Sequence, residues 1–276
     1  MDWLTDPFSY EFMQRALAAG VLAVIATSVI GTWVVLRGMS FMGDALAHGV
    51  VPGIAIAFLL DVSLVLGAAA AAIIMIGAIS VIHRTTQLSE DTAIGLLFVG
   101  MLALGVIIIS RSGSFAVDLV AILFGDVVGT TVTDVVVQAV AALIVVGGAI
   151  VFYRPLLALA FNEEKAEVLG LNPGLTHLVM MGLITVAVVT SFQTVGTLLV
   201  FGLLIAPPAT ASLIARRVPL MMVTAAAIGS VAVVAGLLIS FHFDTAAGAT
   251  ISGLAVAFFF VTLATRQLWR RSDQAT

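Results

Sequence analysis

Asp44 and His48 stand four residues apart in Gly43-Asp44-Ala45-Leu46-Ala47-His48-Gly49. On a helix that spacing turns a carboxylate and an imidazole toward the same side, one turn apart. The pair suits Mn²⁺, Zn²⁺ or Fe²⁺, but two donors are too few to close a metal shell. The spacing equally fits an N-capping aspartate with a histidine hydrogen-bonded one turn deeper. Ala45, Gly49 and Gly53 form a stripe of small residues that lets another helix approach closely. Pro52 and Gly53 are expected to interrupt the same helix near its middle, as happens where backbone lines a cavity.

Three further constellations carry possible chemistry. In Ser240-Phe-His242-Phe-Asp244, His242 either adds a ligand from another helix or acts at a gate; a histidine between aromatics equally anchors a chain at an interface. Phe161-Asn-Glu-Glu-Lys-Ala-Glu-Val-Leu-Gly170 reads as a short charged helix bearing Glu163, Glu164, Lys165 and Glu167, with Ala166 and Leu169 on its other side. Gly170 and then Pro173-Gly174 end it. That element is shaped either to dock in a groove of a soluble partner or to sit solvated. Pro207 and Pro208 are consecutive inside an apolar run. They are expected to break the helix there, either beside a transport path or at a kink satisfied by neighbouring helices.

The elements that must position these groups follow from composition. Of 276 residues, 62% are hydrophobic and 9% charged, with mean hydropathy +1.24. A soluble domain carries roughly 25% charged residues, so lipid is the solvent for most of this surface. Apolar runs at 13–36, 44–60, 62–82, 92–110, 133–153, 175–192, 194–215, 220–241 and 246–268 predict an all-α polytopic membrane protein of eight or nine spans in a single domain, 1–276. The acidic start (Asp2, Asp6, Glu11) before a run long enough to span speaks against a cleavable signal peptide. With the N-terminus outside, Arg37, Arg84, Arg154, Lys165, Arg216, Arg217, Arg266, Arg270 and Arg271 fall inside, against Arg15 and Arg111 outside. Residues 83–91 then form an inner loop with Ser89 as N-cap, residues 111–132 with Asp118 and Asp126 lie outside, and 154–174 is the longest inner connection.

Cysteine is absent, which removes disulfides and thiolate chemistry. No basic patch suggests nucleic acid. No G-x-x-x-x-G-K-[ST] loop or H-E-x-x-H motif occurs, and no nucleophile–base pair suggests an enzyme.

The chain resembles the membrane subunits of ABC importers for zinc, manganese and iron(II) over about residues 13–268. The similarity is carried by Arg37-Gly-Met-Ser-Phe-Met-Gly-Asp44-Ala-Leu-Ala-His48, Leu88-Ser-Glu-Asp91 with Ala93-Ile-Gly95, Leu123-Phe-Gly125-Asp126, and Val195-Gly-Thr through Pro207-Pro208-Ala-Thr-Ala211. The resemblance implies a type II-like importer fold in the bacterial plasma (inner) membrane. It also implies a homodimer of this subunit, two cytoplasmic ATPase subunits that alone use ATP, and an extracytoplasmic metal-binding protein. Asp44 and His48 would meet the metal in transit, and Glu163, Glu164, Ala166, Glu167 and Gly170 would form the coupling surface within 154–174. An ion-coupled secondary transporter without an ATPase is the alternative, which the sparse embedded charge weakens. An Asp/His set without thiolate does not choose among the three metals.

Overall fold

The computed structural model describes residues 6–39, 41–110, 129–161 and 163–273. Asp118, Asp126, Arg111 and the Leu123-Phe-Gly125-Asp126 motif lie outside the described residues. Every regular element among the described residues is helical. After a 3₁₀ turn at Asp6–Ser9 come α1 (Glu11–Arg37), α2 (Phe41–Gly49), α3 (Val51–Leu59), α4 (Leu64–Thr85), α5 (Glu90–Ser110) and α6 (Val132–Val151). They are followed by α7 (Tyr153–Phe161), α8 (Glu163–Val168), α9 (Pro173–Val195), α10 (Thr197–Ile214), α11 (Val218–Phe243) and α12 (Ala247–Asp273).

Each apolar run of the sequence coincides with a helix, and 44–60 coincides with the pair α2 and α3. Seven helices among the described residues are long and apolar enough to cross a bilayer, with Phe41–Leu59 counted as one. Two shorter apolar helices, Leu66–Ile82 and Leu199–Ile214, lie within α4 and α10. Helix ends follow the local chemistry. Gly38 closes α1 at φ 69°, and the N–H groups of Gly38 and Met39 donate back to Val35 and Val34. Ser89 caps α5 by accepting from Thr92 N–H at 3.2 Å, Thr131 and Asp134 form a capping box on α6, and Asn172 Oδ1 caps α9 just before Pro173.

α1 is the central helix and packs against α6, α9, α10 and α11. Gly20 receives Val233 and Gly229 receives Val24, which sets α1 and α11 antiparallel. Rings of Trp33 and Tyr153, 5.7 Å apart, bring the end of α1 beside the end of α6. Arg37, Arg154, Arg216, Arg217 and Arg266 consequently gather at one end of the bundle, and the positive-inside rule assigns that end to the cytoplasm. At the opposite end Arg15 is paired with Glu11 at 3.2 Å. Three buried threonine hydroxyls bond within their own helix, Thr27 to Ala23 O, Thr32 to Ser28 O and Thr210 to Ala206 O, so they ask nothing of lipid.

The expected break at Pro207 and Pro208 does not occur: α10 runs unbroken through both prolines. Each proline still lacks the N–H owed to the carbonyl four residues earlier, Leu203 and Leu204. The interior solves this by packing. The Leu204 carbonyl oxygen lies against Gly31 of α1 so closely that a Cβ there would overlap it, while the Pro208 ring also abuts Gly31 and the Pro207 ring faces Gly229 of α11. The prolines are buried wedges between α1 and α11.

Gly31→Val should drive α10 off α1 and cost at least about 1–3 kcal/mol, the range for overpacking. Gly77→Ala, whose Cβ meets nothing within 4 Å, should leave stability unchanged or slightly raised. Thermal unfolding of the two purified variants in detergent checks the pair.

Candidate metal site and coupling surface

The Gly38 turn reverses the chain and launches α2 back into the bundle, with Asp44 in its first turn, where the helix dipole favours an anion. The height of α2 is set by one residue. Leu204 of α10 holds Gly31 with its carbonyl and packs its side chain into the notch at Gly43, so Gly31 and Gly43 share a level. Gly31 lies about 9 Å in from Arg37, which puts Asp44 and His48 between about 10 and 17 Å from the cytoplasmic end of α1. That depth is near the middle of a hydrocarbon core about 30 Å thick.

His48 Nε2 and Asp44 Oδ1 lie 3.4 Å apart. Two donors bound to one tetrahedral ion at about 2.1 Å are separated by about 3.4 Å, so the pair is spaced to share a metal. The side chains are 21% and 30% exposed, His48 and Asp44 respectively, neither sealed in the core nor standing free. The His48 ring meets Phe98 of α5 edge-on at 5.7 Å. Its Nδ1 is buried and lacks a hydrogen-bond partner among the described residues. No group of three or more His, Cys, Asp or Glu side chains that could hold a metal ion occurs among the described residues.

The small-residue stripe does what its pattern predicts. Gly49 accommodates Met75 of α4, and Gly53 and Gly67 each receive the other's carbonyl, clamping α2 and α3 to α4. The interruption falls at Val50, one turn beyond Leu46, and Pro52 occupies the first turn of α3, where a missing N–H is no loss. Pro52 and Gly53 border an apolar groove with Ile56, Leu66 and Met101, not a polar channel.

His242 does not join Asp44 and His48. Counting from the Val24–Gly229 contact, it lies at the opposite end of the bundle, more than about 20 Å along the axis from the pair. Its Nδ1 pairs with Leu238 O at 2.9 Å, and Phe241 stacks edge-on at 5.4 Å with Tyr10 beyond. Rings so placed at a helix end are of the kind enriched at membrane–water interfaces.

On the cytoplasmic side α8 forms at Glu163–Val168, the helix expected there. Glu167 and Gly170 are exposed, and Gly170 takes φ 73° to turn the chain toward α9. Ala166 is 1% exposed and its carbonyl accepts from Leu171 N–H, so it seats the helix and offers no surface. The apolar groups that do face outward are Val168 and Leu169. Leu169 falls in the sequence on the helix's apolar side with Ala166; Val168 was not singled out, because a valine before the last turn looks like any helix end. His177, in the second turn of α9, pairs its Nδ1 with Arg37 Nη1 at 3.1 Å and ties that connection to the corner preceding α2. A buried hydrogen bond from Gln138 Nε2 to Ser191 Oγ, 3.0 Å, likewise joins α6 to α9; the lone glutamine in its apolar run was the available signal.

Residues 9–266 match the ABC 3 transport family. The manganese transport system membrane protein MntC of Halalkalibacterium halodurans is 39% identical over 91% of this chain and 88% of its own length. The chelated iron transport system membrane protein YfeD of Yersinia pestis is 35% identical over 94% and 87%. Among solved structures, PsaBC from Streptococcus pneumoniae in complex with Fab superposes with a TM-score of 0.84 at 33% identity, covering 95% of this chain and 94% of that one.

Introducing charge separates the two faces of α8. Ala166→Glu should unseat the helix and speed proteolysis at 161–172, because an unpaired charge is buried. Glu167→Ala, on the exposed face, should leave the cleavage rate unchanged. Limited proteolysis of the purified chain reads both.

Proposed function

Because the chain belongs to the ABC 3 transport family, we propose that two copies of it form the path by which a divalent transition metal ion, Mn²⁺, Zn²⁺ or Fe²⁺, enters the cell. The chain is a multi-pass permease subunit of an ABC transporter and not itself an enzyme. Hydrolysis of ATP belongs to two separate cytoplasmic ATPase subunits, and an extracytoplasmic binding protein delivers the ion to the outer face. The bacterial plasma membrane is the expected site. Relatives named for manganese and chelated iron support the metal class.

One observation carries the reading at residue level: a carboxylate and an imidazole, 3.4 Å apart, held near mid-depth of the bundle. An intramembrane ionisable pair is costly, and such pairs mark substrate and ion pathways. A second copy contributes the same two donors, and together they offer two carboxylates and two imidazoles. Coordination there is transient, since a site that binds too tightly does not release its ion. The metal moves by alternating access, with Asp44 and His48 exposed first to one side and then to the other.

Movement of the ATPases enters through 154–174. Glu163, Glu164, Glu167 and Gly170 form the docking surface with Val168 and Leu169, whose 88% and 71% exposure in the aqueous phase calls for a partner. The Arg37–His177 pair lies between that surface and the α1–α2 corner, so a shift at α8 reaches the helix that carries Asp44. Ion-coupled transport without an ATPase is disfavoured by the family assignment.

Asp44→Ala and His48→Ala should each lower metal uptake roughly tenfold or more at equal protein levels, while ATPase assembly stays intact. Near-normal uptake by both variants would remove them from the path. Val168→Glu, Leu169→Glu and Gly170→Arg should instead release the ATPase subunits on size-exclusion chromatography; intact assembly would move the coupling surface elsewhere.

A further inference from the structure

Away from Asp44 and His48, an apolar groove of about 380 Å³ lies between α10, α11 and α12. Ile214, Ile228, Val231, Phe258 and Val261 line it, and Val231 and Val261 are more than half exposed on its open side. Three arginines stand near the level of its cytoplasmic end. Gly202 of α10 meets Ser252 of α12, and counting along these parallel helices brings Arg216 level with Arg266. Gly236 of α11 meets Ile251, and counting the opposite way brings Arg217 about one turn beyond Arg266. Ile214 and Thr262, the groove residues nearest that end, lie about 3–6 Å in from these arginines. Arg216, Arg217 and Arg266 are exposed, and none has an acidic partner among the described residues.

We infer that this groove and its arginine rim bind one anionic phospholipid of the cytoplasmic leaflet. Its phosphate lies on Arg216, Arg217 and Arg266, and the upper part of one acyl chain lies in the groove. Arginine matches phosphate because its planar fork donates two N–H groups to two oxygens, and its apolar stem reaches from membrane depth to the headgroup level. Net charge distinguishes this occupant from bulk lipid: three cations with no anion beside them attract a net-negative headgroup over a zwitterionic one. The comparable groove at Pro52 and Ile56, about 370 Å³, is lined by apolar residues and opens beside the acidic Asp61. It has no such rim.

The test uses the intact importer, this chain with its ATPase subunits, purified in detergent. Dioleoylphosphatidylglycerol and dioleoylphosphatidylcholine are titrated separately and retained lipid is counted by native mass spectrometry. The native importer should retain phosphatidylglycerol preferentially. Arg216→Gln, Arg217→Gln and Arg266→Gln should each weaken that retention roughly fivefold, with unchanged thermal unfolding in detergent alone. Val231→Trp fills the groove from its lipid side and should expel the lipid while every arginine remains. Equal retention of the two lipids overturns the proposal, as does undiminished phosphatidylglycerol binding in the triple glutamine variant. A disulfide between two Val231→Cys chains also overturns it, because it shows protein covering the groove.

Discussion

In hydrocarbon a backbone carbonyl that loses its helical donor has no water to turn to, and the crossing of α1 and α10 is built on that constraint. Pro208 leaves the Leu204 carbonyl unpaired, and Gly31 lets the backbone of α1 close over it. Contact between a Cα–H and a carbonyl is weak, yet here it covers a group that would otherwise face an apolar medium. The unbroken course of α10, the burial of Trp33 and Ile30 beside it, and the central position of α1 all require that closeness.

Leu204 then sets the height of the Asp44–His48 pair. Leu204 presents its carbonyl to Gly31 and its side chain to Gly43, so the height of α2 is measured from α10. Met75 in the notch at Gly49 and the Gly53–Gly67 crossing fix α2 and α3 laterally, and Phe98 covers the edge of His48. Five glycines and one leucine therefore decide where a carboxylate and an imidazole stand in the bundle. Sites on packed helices hold their geometry better than sites on loops.

The two ends of the bundle divide other tasks. One end gathers arginines, the exposed face of α8 and the Arg37–His177 link, all suited to partners that carry negative charge or move. The other end carries Tyr10, Phe241 and His242, rings that suit the lipid–water boundary. Charge that orients the chain in the membrane is the same charge that stands near the end of the groove between α10, α11 and α12.

Much of this was legible in the residues. Run length and hydropathy gave the helices, because a bilayer demands about 20 apolar residues per crossing whatever their neighbours are. Ser89 and Gly170 marked helix ends because caps are local chemistry. The four-residue spacing of Asp44 and His48 gave their shared face, because helix periodicity is local too. What periodicity cannot state is which helix lies alongside. Pro207 and Pro208 read as a break until Gly31 and Gly229 were found opposite them, Ala166 read as surface until α8 folded onto it, and His242 read as a possible ligand until the antiparallel register of α1 and α11 carried it to the far end. Each of those outcomes depends on contacts between residues distant in the chain, and only the tertiary packing supplies them.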